Sequence, residues 1–274
     1  MTTNRIDRRF AELKAANRAG LIPFITAGDP APEATVAVMH ALVAAGADLI
    51  ELGVPFSDPM ADGPVIQHAN ERALALGVGL EHIFGWVGEF RQRDATTPVV
   101  LMGYLNPVEI LGYARFAARA VAAGVDGVLL VDCPVEELDT AQPIRDAGLA
   151  QIFLAAPTTD PVRLERICAQ AQGFLYYVSF AGITGAARLS TDAVRERVAA
   201  VKARAHTPVA VGFGVRDAES AAAIAAFADA VVIGSALVDT LAGSATVEEA
   251  AMRATAFLAP IRKALDAPSA ADAA

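Results

Sequence analysis

The chain has 274 residues, of which 54% are hydrophobic and 19% are charged, so we expect a packed globular protein rather than a disordered chain. Its net charge of −9, without any run of lysine and arginine, argues against nucleic acid or an anionic membrane surface as the main partner. The polar start of the chain lacks the apolar centre of a signal peptide, and charges interrupt the long apolar runs. We therefore expect a cytoplasmic protein.

Eight short apolar segments alternate with helical segments along the chain. The apolar segments are continuous rather than alternating, as is typical of parallel strands covered on both faces. Eight strand–helix units predict a (β/α)8 TIM barrel as a single domain over 1–266, with an extra N-terminal helix at 5–18 closing its bottom. The tail at 267–274 is expected to be disordered. The predicted strands lie within 21–26, 44–53, 97–103, 122–132, 146–155, 173–179, 207–214 and 225–234.

An open, doubly wound sheet is the structural alternative. Such a sheet would normally carry a glycine fingerprint for a dinucleotide directly after its first strand. The turn at 26–30 reads TAGDP, which does not match that fingerprint. The sequence therefore favours the barrel.

The segment 51–67, ELGVPFSDPMADGPVIQ, has a carboxylate at a strand end and others on the following loop. A charged Glu51 inside an apolar strand is costly to bury unless it is paired or neutralised. Reactive groups of such barrels lie at the carboxyl ends of the strands, so we predict that Glu51 is an acid–base group. Asp62 could equally well cap the turn before Gly63, and Asp58 before Pro59 is typical of a turn.

The last three loops at this end of the predicted barrel, at 181–190, 212–214 and 234–235, are rich in glycine and short hydroxyl residues. Loops seven and eight of a barrel commonly bind phosphate, since glycine lets backbone N–H groups approach an anion. The alternative is that these glycines only turn the chain. Their presence in three adjacent loops favours a phosphate site, over which 181–190 could close.

The positions of the lysines and histidines limit the chemistry. Lys14, Lys202 and Lys263 fall in predicted helices, so no lysine at a strand end could form a Schiff base. The histidines are scattered, without a metal-ligand cluster. What remains is carboxylate acid–base chemistry on a phosphorylated substrate, without a metal or a covalent intermediate.

Several motifs together resemble the α chain of tryptophan synthase over nearly the whole sequence. This resemblance implies a lyase of L-tryptophan biosynthesis that cleaves indole-3-glycerol phosphate to indole and D-glyceraldehyde 3-phosphate. It also implies an α2β2 tetramer with a β chain that holds pyridoxal phosphate, and no cofactor in this chain. The motifs are PFITAGDP (23–30), the segment 51–67, GVDGVLLVDCPVEE (124–137), AGITGA (181–186), VGFGV (211–215) and GSALV (234–238).

The resemblance also implies a role for individual residues. Glu51 would be the main acid–base group, and Asp62 would bind the indole N–H. The loops 54–63 and 180–191 would close over the substrate and touch the partner, although Phe180 stands where some members have arginine. The substrate-binding residues would be Phe24, Leu101, Tyr176 and Thr184, and the phosphate-binding residues would be Gly185, Gly212, Phe213, Gly214, Gly234 and Ser235.

Two other functions remain open from the sequence. One is a different phosphate-binding barrel enzyme, such as an isomerase or epimerase of sugar phosphates. The other is a weakly active module that activates a pyridoxal phosphate-dependent β chain. An indole-formation assay with and without that β chain would separate the three hypotheses.

Overall fold

Parallel strands form the centre of the computed structural model, which describes residues 4–178, 191–212 and 214–267. The predicted tail therefore lies, except for Ala267, outside the described residues. Nine strands are present in the described part of the chain: β1 (Gly20–Thr26), β2 (Ile50–Gly53), β3 (Val99–Gly103), β4 (Gly127–Leu130), β5 (Ala150–Gln151), β6 (Phe153–Ala155), β7 (Leu175–Val178), β8 (Val209–Gly212) and β9 (Ala230–Ile233).

The strands follow the order β5-β4-β3-β2-β1-β9-β8-β7-β6. Strands β5 and β6 are two parts of one extended segment, separated only by Ile152. The backbone N–H of Ile152 donates to the carbonyl of Val128 in β4 at 2.9 Å, so the segment stays in the sheet between its two halves. The sheet thus closes on itself with eight strand positions, which confirms the predicted barrel and excludes the open sheet.

Helices surround the barrel on its outer side. Several begin with a side-chain cap, as at Asp160, Asp217 and Thr246, and Pro64 and Pro161 occupy the first turn of their helices. The helices of the described residues are α1 (Arg5–Ala15), α2 (Ala34–Ala44), α3 (Pro64–Ala75), α4 (Leu80–Arg91), α5 (Leu105–Leu111), α6 (Tyr113–Ala123), α7 (Gln142–Asp146), α8 (Pro161–Gln170), α9 (Thr191–Lys202), α10 (Ala218–Ala225), α11 (Ser235–Leu241) and α12 (Val247–Leu265).

Two apolar layers hold this arrangement together. The outer layer lies between the strands and the helices, and it contains side chains such as Leu101 and Phe116. The inner layer fills the barrel, where Ile6 and Phe10 of α1 pack with strand residues such as Ile22 and Phe174. These α1 positions recur at helical spacing, so one face of the helix is buried in the barrel. The predicted N-terminal plug is therefore confirmed.

Buried carboxylates at the amino ends of the strands are all held by arginines. Asp48 accepts hydrogen bonds from Arg9 at 2.6 Å and from Arg262 at 3.0 Å, which ties α1 and α12 to the barrel. Asp126 pairs in the same way with Arg5 and Arg91, each at 2.8 Å. Burial of these charges is tolerated because each has its partner.

No described helix is both long and apolar enough to cross a bilayer.

Candidate active site

Glu51 has no such partner. It lies in β2 with none of its surface exposed, and neither carboxyl oxygen has a hydrogen-bond partner among the described residues. Burial raises the pKa of Glu51 to about 8, because the charged form loses its hydration there. The side chain is therefore a neutral carboxylic acid at neutral pH, with a proton that it can give away.

A cavity of about 610 Å³ opens above Glu51 at the carboxyl ends of the strands. Phe24, Met102 and Tyr176 contribute large side chains to its lining, and glycines and short polar residues contribute the rest. This combination suits a ligand with an aromatic part and a polar part. The cavity is lined by Phe24, Glu51, Val65, Ile66, Met102, Tyr176, Gly212, Gly214, Val215, Arg216, Val232, Gly234, Ser235, Ala236, Asp239, Thr240 and Phe257.

Tyr176 stands close to Glu51, and Gly212 makes room for it. Burial raises the pKa of Tyr176 well above its usual value, and negative charge on Glu51 and Asp62 adds to the effect. A Cβ atom built on Gly212 would collide with the hydroxyl and ring of Tyr176. Position 212 must therefore be glycine to leave space for the Tyr176 side chain. Gly212 also lines the cavity, where a ligand could approach its backbone.

Asp62 lines a small hollow beside the main cavity, and Phe24 and Met102 form walls of both. Its Oδ2 accepts a hydrogen bond from the Tyr104 hydroxyl at 3.2 Å. Burial raises the pKa of Asp62, while the hydrogen bonds from Tyr104 and Asn70 act in the opposite direction by stabilising the carboxylate. Asp62 is therefore a partly shielded carboxylate with two donors that hold it.

Leu101 does not line the cavity, which corrects the expectation drawn from the resemblance. Neighbouring residues of a strand point to opposite faces of the sheet. Leu101 points outward and packs with Phe116 under the helices, whereas Met102 points inward toward Phe24. Side chains alternate between the inside of the barrel and the helix-covered side along β3. Because the run is apolar throughout, its sequence does not show which residues point inward.

Four of the six predicted phosphate-binding residues line the cavity together: Gly212, Gly214, Gly234 and Ser235. Gly214 has φ of +46°, a conformation that favours glycine. The first hydrogen bonds of α11 run from the N–H groups of Leu237 and Val238 to the carbonyl of Gly234. The N–H groups of Ser235 and Ala236 precede these bonds and remain available at the cavity wall. Thr184, Gly185, Phe213, Phe180 and most of the predicted loop 180–191 lie outside the described residues.

Met102 and Arg216 could not be recognised as site residues from the sequence, and Tyr104 was marked only by its place at a strand end. Tyr104 follows β3 directly, and its position at a strand end was the available signal. Arg216 lies two residues beyond Gly214 of the VGFGV motif (211–215), and no local sequence pattern marks it as a site residue.

A larger hollow of about 710 Å³ lies at the opposite end of the barrel, near α1. Lys14 and Lys202 line it, and Lys202 pairs with Asp229 at 2.7 Å. Because reactive groups of barrels lie at the carboxyl ends of the strands, we assign the site to the cavity above Glu51. The described residues contain no group of three or more potential metal ligands.

Known proteins resemble this chain over nearly its whole length. The family model described as tryptophan synthase alpha chain matches residues 10–266. The chain is 62% identical to the tryptophan synthase alpha chain of Xylella fastidiosa (strain 9a5c) over 265 residues, covering 96% of this chain and 99% of the relative. It is 63% identical over 264 residues to the one of Xanthomonas oryzae pv. oryzae (strain MAFF 311018), covering 96% and 98%.

Solved structures agree with these matches. The structure of tryptophan synthase subunit alpha from Legionella pneumophila str. Paris superposes with a TM-score of 0.89 at 44% identity, covering 97% of this chain and 99% of that one. A structure of Mycobacterium tuberculosis tryptophan synthase superposes with a TM-score of 0.87 at 37% identity, covering 97% and 100%.

Proposed function

The chain belongs to the family of tryptophan synthase alpha chains, and we propose that Glu51 and Asp62 divide the chemistry of its lyase reaction between them. As an α subunit of tryptophan biosynthesis, the protein cleaves indole-3-glycerol phosphate to indole and D-glyceraldehyde 3-phosphate. The observation that carries the proposed division is the buried, unpaired carboxyl group of Glu51 in the wall of a cavity large enough for this substrate.

Glu51 moves the proton in both directions. Its neutral carboxyl group, with a pKa raised to about 8, donates a proton to C3 of the indole ring. The resulting carboxylate then takes the proton of the hydroxyl on the carbon attached to C3. As the O–H bond breaks, an aldehyde forms, the bond from that carbon to C3 breaks, and its electrons return to the ring. Glu51 ends the cycle protonated, so the proton balance closes.

Asp62 acts on the indole nitrogen. Protonation of C3 places positive charge on the ring nitrogen, and an ionised carboxylate beside its N–H stabilises that charge. The Tyr104 hydroxyl, 3.2 Å from Oδ2, orients the Asp62 carboxylate and favours its ionised form. The two carboxyl groups thus differ in role because Glu51 lacks the donors that Asp62 has.

The remaining site residues bind the two ends of the substrate. Phe24, Met102 and Tyr176 contact the indole ring, and the backbone groups of the glycine loops with Ser235 bind the phosphate. By the family resemblance, Thr184 joins the first group, and Gly185 and Phe213 join the second.

A β chain covers the mouth of the cavity in the α2β2 assembly that we propose, and pyridoxal phosphate is held by that partner. The family resemblance places the contact on the loops 54–63 and 180–191, and two large apolar side chains are exposed on the first of these loops and on α5, which follows β3. Met60 on the loop 54–63 is 80% exposed, and Ile110 of α5 is 79% exposed. Apolar groups of this size are suited to burial against a partner. The cytoplasmic location stays a prediction.

An indole-formation assay on purified Glu51→Gln and Asp62→Asn proteins tests the proposed roles. Both variants should lose indole release while keeping a normal unfolding transition, and Glu165→Gln on the exposed side of α8 should behave as the parent. Near-normal turnover by either site variant would contradict the mechanism. Repeating the assay with a β chain measures how far activity depends on the partner, which separates an independent lyase from an activator module.

A further inference from the structure

Charges around the substrate cavity are unevenly distributed. Two carboxyl groups, Glu51 and Asp239, line it, and Arg216 is the one cationic side chain among its described lining residues. A phosphate monoester entering this cavity would meet the exposed carboxylate of Asp239, which interacts electrostatically with Arg72 outside the described lining. Among the described lining residues, only Arg216 can bring a positive charge to the phosphate itself. Arg216 is therefore placed where a cation is needed.

The backbone of Arg216 is anchored, whereas its guanidinium interacts with the adjacent Asp217 through its charge, without a hydrogen bond between the two side chains in the part of the chain that the structure describes. Its own N–H donates to Ser220 Oγ at 3.1 Å, at the start of α10, and the neighbouring Val215 is buried. The adjacent Asp217 is already engaged, since its carboxylate accepts from the N–H of Ser220 at 2.8 Å and from Ser220 Oγ at 2.7 Å. Hydrogen bonds from Ser220 and, to a smaller extent, the charge of Arg216 lower the pKa of Asp217, and no carboxylate of the described residues lies close enough to the guanidinium to form a contact ion pair with it.

We propose that Arg216 is a phosphate-recognition residue, whose guanidinium binds the substrate phosphate and offsets Asp239. A guanidinium carries a positive charge and presents paired N–H donors that match two phosphate oxygens. Backbone amides can donate hydrogen bonds to a phosphate, but they carry no net charge. Arg216 takes no part in the bond-breaking step, because that step occurs at Glu51. This inference rests on the proposed use of the cavity for a phosphorylated substrate, but not on the roles of Glu51 and Asp62.

Calorimetric titration of the protein with sn-glycerol 3-phosphate and with inorganic phosphate tests the inference without turnover. Arg216→Ala should weaken both affinities about tenfold or more, the usual loss for a hydrogen bond to a charged group. Arg216→Lys should restore part of the loss, and Asp239→Asn should tighten binding. The matched control is Arg115→Ala, which removes an exposed arginine of α6 and should leave both affinities unchanged.

Steady-state kinetics supply the second measurement. Arg216→Ala should raise KM for indole-3-glycerol phosphate while kcat stays within about twofold, and the affinity for indole, which has no phosphate, should not change. Unchanged phosphate affinity in both Arg216→Ala and Arg216→Gln would overturn the inference and leave Arg216 as a solvated surface side chain. If the Arg216 variants keep the phosphate affinity of the parent and the parent is an active lyase, only the proposed role of Arg216 is refuted. A clear calorimetric loss in a protein without lyase activity refutes only the proposed chemistry.

Discussion

The hydroxyl of Tyr104 joins the end of β3 to the loop that carries Asp62. It donates to Oδ2 of Asp62 at 3.2 Å and accepts from the N–H of Ala61 at 3.2 Å, while its ring stacks on Phe56 with centroids 5.2 Å apart. One buried side chain thereby holds both the backbone of the loop and its carboxylate. The position of Asp62 relative to the substrate consequently depends on a residue of the next strand.

Replacing Tyr104 with phenylalanine should reduce kcat/KM about tenfold, since the hydrogen bond that positions Asp62 is lost. The same hydrogen bond lowers the pKa of Asp62 against the opposing effect of burial. Its removal should raise that pKa further, so the acidic limb of the pH profile of kcat/KM should move to higher pH. Tyr113→Phe is the control, and it should change neither quantity. A lower kcat/KM with an unmoved acidic limb would mean that Tyr104 acts only on loop structure.

Glu51→Gln should change how stability depends on pH. The folded parent keeps the Glu51 proton up to a pKa of about 8, whereas the unfolded chain loses it near 4.5. Because the folded state binds the extra proton, the parent loses stability as the pH rises through this interval, and glutamine removes the effect. Urea titrations give the free energy of unfolding of both proteins at each pH. The value for the variant minus the value for the parent should increase by on the order of 2 kcal/mol from pH 6 to pH 9.

Glu165→Gln, which removes an exposed carboxyl group of α8, serves as the control for this experiment. If the difference between Glu51→Gln and the parent did not change with pH, the Glu51 carboxyl group would be ionised in the folded protein, contrary to its burial without a partner among the described residues.

Gly212→Ala should damage both stability and activity through Tyr176. The added methyl group would collide with the Tyr176 ring and hydroxyl, and such overpacking typically costs about 1–3 kcal/mol. Displacement of Tyr176 should also lower turnover. Tyr176→Phe removes the atom nearest to the new methyl group, so the double variant should recover part of the lost stability. The control is Gly85→Ala in α4, which has open space around it and should leave stability unchanged or higher. If the stability changes of Gly212→Ala and Tyr176→Phe simply added in the double variant, the proposed collision would be wrong.

Leu101→Ala and Met102→Ala should separate the two faces of β3. Leu101 is buried in the outer layer, so its truncation should cost about 2–5 kcal/mol of stability without a direct effect on substrate affinity. Met102 lines the cavity, so its truncation should raise KM for indole-3-glycerol phosphate. Thermal unfolding and steady-state kinetics on both proteins decide the matter, and the reverse pattern would restore Leu101 to the indole site.

Much of the fold could be predicted because its information is local. Continuous apolar runs mark strands that are covered on both faces, and the amphipathic pattern of 5–18 marks a helix with one buried face. Glu51 could be selected for the same reason, since a carboxylate in an apolar strand conflicts with its surroundings. Its lack of a partner could not be predicted. Asp48 and Asp126 are also buried carboxylates, and only the packing of distant arginines from α1, α4 and α12 separates them from Glu51.

The chain pattern thus established the barrel, the plug helix and the strand ends at which chemistry occurs. The tertiary structure decided which groups meet there: that Met102 rather than Leu101 faces the cavity, that Tyr104 holds Asp62, and that Arg216 enters the cavity rim. The physical reason is that a continuous apolar run indicates a buried strand but not which of its side chains face the inside of the barrel. Likewise, the identity of a polar residue indicates its chemistry but not the residue that it contacts. Direction and partner arise only when the closed sheet brings together residues far apart in the chain.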